Sequence, residues 1–493
     1  MVKFVHDILE RSSQQFPTKC ALQAGSNHYT YQDVNSEVIR FETYLRNQGV
    51  TKGDRIVILL PNSFLSVISI FAASKLGAVF VHLNEEIVTQ NLKHIIDDCE
   101  PKVIITNAKN KAKHSLPWHQ FIVVEEKLYD STVQANQISS VVTTHIEEGD
   151  LVCLIYTSGS TGKPKAVMSS HANVTFAANA IQNCIHVKEQ DVIGLFLPFS
   201  FDYGMYQIFL TFQVGAKLVL FPIETAGLKM IKSIHESGIT GLPIVPSMVQ
   251  SISAQFNREN RPVNSLRFIT STGEKLKRAN IHQLLTMFPQ LILYSMYGLT
   301  ECKRVSILPS EEIIGKIDSI GKPLPGTECI IINGDGEKLP PNEIGELVVK
   351  GPHVMKGYWN NSNTNTRISF GTWNDENVLY TGDMCSMDEH GYLYFHGRED
   401  DIFKKNGYRI SSIDVETAVM EIPNVVQAAL VVAEEVTCLF VVTDLSENDL
   451  RKELSERIDK YAMPNKINIV PSLPLTSHSK VDKKKLKTFF SEV

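Results

Sequence analysis

Apolar and polar positions follow a helical period through "YTYQDVNSEVIRFETYLRNQGV", residues 29–50, and the pattern stops at Gly49. This predicts an amphipathic helix closed by a glycine. "DRIVILLP" is short and continuously apolar, as a buried strand requires. "SFLSVISIFAASKLGA" then reads as a helix and "VFVHLN" as a strand, and "NLKHIIDDCEP" with "KVIIT" repeats the unit. The rhythm returns in "QDVIGLFLP", "AKLVLF", "IKSIHESGI", "TGLPIV" and "LRFITST". Strands alternating with helices predict an α/β fold built on doubly wound, mostly parallel sheets. From Ser319 the texture changes to short alternating runs rich in Gly and Pro, "SIGKPLPGTECIIINGDGEKLPPNEIGELVVKGPHVMKGYW". That predicts a β-rich subdomain over about residues 319–398. After "GYLYFHGRED", "SSIDVETAVMEI" and "DLRKELSERIDKYAM" read as helices, and "VVQAALVVAEE" and "TCLFVVT" as strands. The expected organisation is a large N-terminal domain, 1–398, and a small α+β domain, 399–493, with a polar hinge between them.

Composition narrows the class. The chain has 493 residues, 43% of them hydrophobic, enough for a large core. Its formal charge of -6 gives no broad basic field, so neither nucleic acid nor an anionic membrane is an expected partner. The longest apolar run, Phe64 to Leu83, is broken by Ser66, Ser69, Ser74, Lys75 and Gly77, and reads as a buried helix and strand. Eight scattered cysteines without a CxxC pair fit free thiols in a reducing compartment. With no signal-peptide core at the N-terminus, the expected location is cytoplasmic. The basic run "KVDKKKLK" from Lys480 reads as a solvated tail.

The chemistry concentrates in "YTSGSTGKPKAVMSSH", Tyr156 to His171. A kinase-type phosphate loop needs G-x-x-x-x-G-K-[ST] opening into a helix. Here Thr157 replaces the first glycine and Pro164 follows Lys163, removing an amide donor and disfavouring a helix. Small residues, hydroxyls and lysines still suit an anion. Composition alone leaves a phosphate site and a polar surface loop both open.

The order of motifs resolves the choice. "YTSGSTGKPKAV" resembles the phosphate-binding signature of the ANL adenylate-forming superfamily, which includes acyl-CoA synthetases, peptide-synthetase adenylation domains and luciferases. "MYGLTE", "GELVVKGPHVMKGYWN", "YTGD", "GREDDIFKKNGYRI" and "SHSKVD" resemble its other motifs in the same order. The resemblance implies an enzyme in which a carboxylate attacks the α-phosphate of ATP, giving an acyl-adenylate. A thiol, usually of phosphopantetheine, then displaces AMP.

By this resemblance Thr157, Ser158, Ser160, Thr161 and Lys165 hold the β- and γ-phosphates. Glu301 binds Mg²⁺, and Thr300 meets the α-phosphate. Gly273, Glu274 and Tyr297 line adenine, and Asp383 with Arg398 holds the ribose. Lys480 bridges the substrate carboxylate and α-phosphate; read alone, it is one more tail lysine. Ser479 stands where the family usually has Gly before that lysine. Asp400 is the implied hinge of a mobile C-terminal domain, and Gly407 lies in the loop brought to the thiol channel. His82 stands where the family usually carries proline.

The substrate region is "LPFSFDYGMYQIF", Leu197 to Phe209. In amino-acid-activating relatives an Asp at the position of Asp202 meets the substrate ammonium. Capping of the following helix is its local alternative, and some acyl-CoA ligases also carry "FDYG". "FDYGMYQ" with "YGLTECKRVS" looks most like stand-alone ligases that load L-proline onto a carrier protein, with Tyr203, Tyr206, Met296 and Val305 forming a small, largely apolar pocket. Lys303 and Arg304 are left with three readings: pocket lining, ion pairs elsewhere, or a face toward a carrier. The expected acceptor is phosphopantetheine on a carrier protein in trans. The alternatives are an AMP-forming acyl- or aryl-CoA synthetase and a nucleotide-binding relative without activity.

Overall fold

The computed structural model describes residues 2–114, 116–118, 121–125, 144–158, 164–259, 263–360, 369–373, 376–398, 402–405, 408–433, 436–458, 462–475 and 481–491. Contacts divide the chain into two compact units. One comprises Met1–Cys329, Val349–Tyr380 and Gly391–Leu393; the other comprises Ile330–Val348, Thr381–His390 and Tyr394–Val493.

Two sheets organise the first unit. A six-stranded sheet runs Ile122–Glu125, Val103–Thr106, Arg55–Leu59, Val79–His82, Leu151–Ser158, Pro164–Ser170. All neighbours are parallel except the last pair. The second contains a parallel core of Ile292–Tyr297, Phe268–Ser271, Gly241–Ile244, Val192–Leu195, Lys217–Leu220 and Cys20–Ala24. Strands such as Val103–Thr106 and Val79–His82 are buried at every position, so the sheets are covered on both faces and their strands lack polar alternation.

The expected helices form with legible ends. Tyr31–Asn47 starts where the Thr30 side chain accepts from Asp33 N–H, and Gly49 takes φ +78° just beyond it. Phe64–Leu76 is buried on nearly every side, which explains its membrane-like hydropathy. Among the described residues no helix is long and apolar enough to cross a membrane. The segment after the phosphate loop is the strand Pro164–Ser170, as Pro164 requires, and not a helix.

The second unit takes most of a sheet ordered Glu328–Ile332, Gly345–Lys350, Glu376–Met387, Leu393–Arg398. Its three-stranded sheet joins Val425–Ala433, Val436–Thr443 and Lys466–Ile469. Period-two alternation sends Leu430, Leu439 and Val441 to one apolar cluster and Ala429, Val431, Cys438 and Phe440 to another. The basic run near the C-terminus departs from its reading as a solvated tail. Lys483–Ser491 is a helix whose Leu486 is buried in the second cluster, and Lys483 Nζ lies 2.8 Å from Glu416. Burying that leucine contributes about 2 kcal/mol.

Candidate active site

The strands Val192–Leu195, Gly241–Ile244, Phe268–Ser271 and Ile292–Tyr297 stand side by side and parallel. Ligands of such sheets bind outside the carboxyl ends of the strands, and Asp202, Gly273, Glu274, Thr300 and Glu301 follow those ends in the chain. Beyond the first strand, helix Asp202–Gln213 begins with Asp202 at 5% exposure. Its Oδ1 accepts from Tyr203 N–H at 2.8 Å, so the carboxylate does sit at the helix start. The Tyr203 hydroxyl donates to the Thr270 carbonyl at 2.7 Å and meets Thr270 Oγ1 at 2.6 Å. Burial pushes the Tyr203 and Tyr206 phenols above their usual range, and among the described residues the Tyr206 hydroxyl has no hydrogen-bond partner. Both therefore act as neutral groups.

The loop after Ile292–Tyr297 turns back on itself. A Cβ on Gly298 would lie 2.1 Å from the Lys303 carbonyl oxygen, so only glycine permits the approach. Val305 N–H closes the loop on the Tyr297 carbonyl at 2.9 Å, and Arg304 N–H reaches the Cys302 carbonyl at 2.7 Å. Lys303 sits at the apex with φ +59°, a strained conformation for a lysine that its surroundings must hold. The turn sends two cations inward: Lys303 is 1% exposed and Arg304 4%. Lys303 Nζ donates to the Thr300 carbonyl at 3.0 Å and lies 3.9 Å from Asp202 Oδ2. Arg304 Nη1 donates to Thr272 Oγ1 at 3.2 Å and to the Lys303 carbonyl at 3.0 Å, with its guanidinium 5.1 Å from the Tyr203 ring centroid. Among the described residues no carboxylate pairs with Arg304, and its Nε has no partner. Met296 and Val305 are buried beside this loop. The four expected apolar residues Tyr203, Tyr206, Met296 and Val305 are thus all buried, and two buried cations accompany them.

Glu301 lies in the same loop at 4% exposure. Its Oε1 accepts from the Tyr358 hydroxyl at 2.6 Å, and no cation neutralises it among the described residues. A buried hard-oxygen donor without a counter-charge fits Mg²⁺. Thr300 and Tyr297 flank it, half-buried, while Gly273, with φ +95°, and Glu274 are exposed. Across the phosphate-loop hairpin Thr157 pairs in register with Lys165, which has no anionic partner among the described residues. Ser160 and Thr161 lie outside the described residues, as does the side chain of Ser158.

In the second unit Asp383, 3% exposed, accepts from Arg398 Nε at 3.1 Å, which brings the two expected ribose residues together. Lys480, Asp400 and Gly407 lie outside the described residues. His82 is buried, edge-on to Phe199 with ring centroids 5.7 Å apart, and has no hydrogen-bond partner on either nitrogen among the described residues. Burial lowers its pKa to about 3.

Sequence reasoning assigned no role to Tyr358, although "KGYW" was in view. It left Lys303 and Arg304 open. The available signal was their place: two adjacent cations inside "ECKRVSIL", directly before an apolar strand.

The AMP-binding enzyme family matches residues 9–359, and the AMP-binding enzyme C-terminal domain matches residues 414–480. Tyrocidine synthase 1 of Brevibacillus parabrevis is 26% identical over 503 residues; the match takes in 98% of this chain but 45% of that protein. The complex structure of VinN with L-aspartate is 33% identical with a TM-score of 0.71, covering 80% of this chain and 98% of that one. The o-succinylbenzoate coenzyme A synthetase MenE of Bacillus subtilis, solved with ATP and magnesium ion, is 27% identical with a TM-score of 0.85, covering 97% and 99%.

Proposed function

Because this chain belongs to the AMP-binding enzyme family, whose members are adenylate-forming, AMP-forming ligases, we propose that it activates an amino acid carrying a second carboxylate. The activated acyl group is then transferred to a phosphopantetheine thiol on a carrier protein in trans, in the cytoplasm.

The observation that carries this reading is the buried pair Lys303 and Arg304 beside Asp202. Asp202 has Lys303 beside it, whereas no carboxylate among the described residues pairs with Arg304, and an uncompensated buried charge is costly. The reacting carboxylate of the substrate belongs at the ATP phosphates and cannot also serve here. A second carboxylate next to Arg304 supplies the missing charge and can accept from its unpartnered Nε. L-proline, the expectation from sequence, would add an ammonium and no anion. Asp202 favours an amine in the same ligand. Lys303 stays 3.9 Å away and spends a hydrogen bond on the Thr300 carbonyl, so Asp202 Oδ2 keeps room for a donor. VinN, solved with L-aspartate, supports the same chemistry.

In this reading Thr157, Ser158, Ser160, Thr161 and Lys165 hold the terminal phosphates, Gly273, Glu274 and Tyr297 the adenine, and Asp383 with Arg398 the ribose. Glu301 would hold Mg²⁺, which offsets phosphate charge when bound. Thr300 meets the α-phosphate. In the first half-reaction a substrate carboxylate oxygen bonds to the α-phosphorus and pyrophosphate leaves, with Lys480 stabilising the charge that develops. In the second the thiol sulfur bonds to the acyl carbon and AMP leaves, after rotation about Asp400 brings Gly407 to the thiol channel. Lys480→Ala should slow adenylation about 10²–10³-fold.

Dicarboxylic acids without an amine are the second reading, favoured by the same cations and by the likeness to MenE. Substrate-dependent ATP–pyrophosphate exchange tests both, using aspartate, glutamate, proline, aliphatic dicarboxylates and fatty acids. Exchange with an acidic amino acid is expected; exchange with proline or a fatty acid alone overturns the proposal.

A further inference from the structure

We infer that Tyr358 is a positioning residue for Glu301, coupling the orientation of that carboxylate to the strand leaving the phosphate loop. The inference rests on the reading of Glu301 as the Mg²⁺ carboxylate.

Tyr358 belongs to a segment fastened on two sides. Toward the phosphate-loop strand, Trp359 N–H donates to the Ala166 carbonyl at 2.9 Å, and Met168 N–H donates to the Gly357 carbonyl at 2.9 Å. Val167 and Tyr358 form an antiparallel bridge. Toward the other loop, Met355 N–H donates to the Glu301 carbonyl at 2.8 Å. Asn173 Nδ2 holds the Pro352 and Val354 carbonyls at 2.7 and 3.0 Å. The Tyr358 hydroxyl then meets Glu301 Oε1 at 2.6 Å, the length of a hydrogen bond to an ionised oxygen.

A glutamate on a loop has three rotatable bonds, and metal binding needs one carboxylate orientation. The phenol fixes Oε1 and leaves Oε2, which takes no hydrogen bond among the described residues. Ala166 follows Lys165 directly, so the residue expected at the phosphates and the carboxylate expected at the metal share one hydrogen-bonded frame. Phosphate and metal sites are thereby held in register before either ligand arrives.

Calorimetric titration of the full chain with ATP, once with Mg²⁺ and once with EDTA, tests this without turnover. The ratio of the two affinities measures the metal-dependent gain. Tyr358→Phe should cut that gain about 10-fold, the usual cost of removing an outer partner of a metal ligand, and leave metal-free ATP affinity unchanged. Glu301→Gln should remove the gain, and Tyr358→Phe should then add nothing. An unchanged gain in Tyr358→Phe, or equal losses with and without metal, overturns the positioning role. A full gain in Glu301→Gln overturns the reading of Glu301 beneath it.

Discussion

Asp202 and Asp383 are both nearly buried and both face a cation, but the two pairs differ in kind. Arg398 approaches Asp383 to 3.1 Å with a direct hydrogen bond, and its side chain is 46% exposed. Lys303 is 1% exposed yet stays 3.9 Å from Asp202 and donates elsewhere. The half-exposed Arg398 can share its charge with water. The buried pair holds charge within reach but without a hydrogen bond, with Arg304 adding a second cation. Such an arrangement is stable only with a further ligand or with strong support from the surrounding structure. The contrast separates a contact closed by a direct hydrogen bond from one left without it.

The largest expected effect comes from removing the surplus cation. Arg304→Met should lower kcat/KM for an acidic amino acid about 10³-fold, a loss of about 4 kcal/mol typical of truncating one partner of a buried charge pair. Turnover of a neutral isostere such as asparagine should change little, as pyrophosphate exchange would reveal. Next, Lys303→Met leaves Asp202 buried without its cation and should cost about 3 kcal/mol in urea unfolding. Asp202→Asn in that background should recover part of the loss; no recovery would mean that Lys303 acts through packing alone.

Among the described residues, His82 is a buried polar group with no hydrogen-bond partner on either nitrogen. Its pKa is about 3 in the fold, depressed by burial from an ordinary value near 6.5. The unfolded chain therefore binds a proton that the folded chain refuses, and stability falls as pH drops from about 6.5 toward about 3. His82→Phe should flatten the slope of stability against pH by about 1.4 kcal/mol per unit within that window. An unchanged slope would show that His82 takes up its proton without unfolding. The smallest effect is expected at Arg398, whose charge is half exposed to water, where Arg398→Met should change unfolding free energy by about 1 kcal/mol.

The architecture was readable because periodicity and end signals agree. Thr30 and Gly49 mark one helix, and Pro164 forbids another. The residues expected to face ATP lie within contiguous motifs, where a sequence shows them together. The surroundings of Asp202 were harder for a physical reason. Lys303 and Arg304 look like surface charges, and only the turn permitted by Gly298 drives them inward. Asp202 meets Lys303 from a helix about a hundred residues earlier in the chain. Tyr358 reaches Glu301 across 57 positions, a contact that no local pattern encodes.

The most direct measurement compares aspartate with asparagine in ATP–pyrophosphate exchange, on the natural chain and on Arg304→Met. These ligands match in shape and differ in one charge. The account predicts a strong preference for aspartate in the natural chain that collapses in the variant. Equal exchange with both ligands, or a preference that survives loss of Arg304, would contradict it.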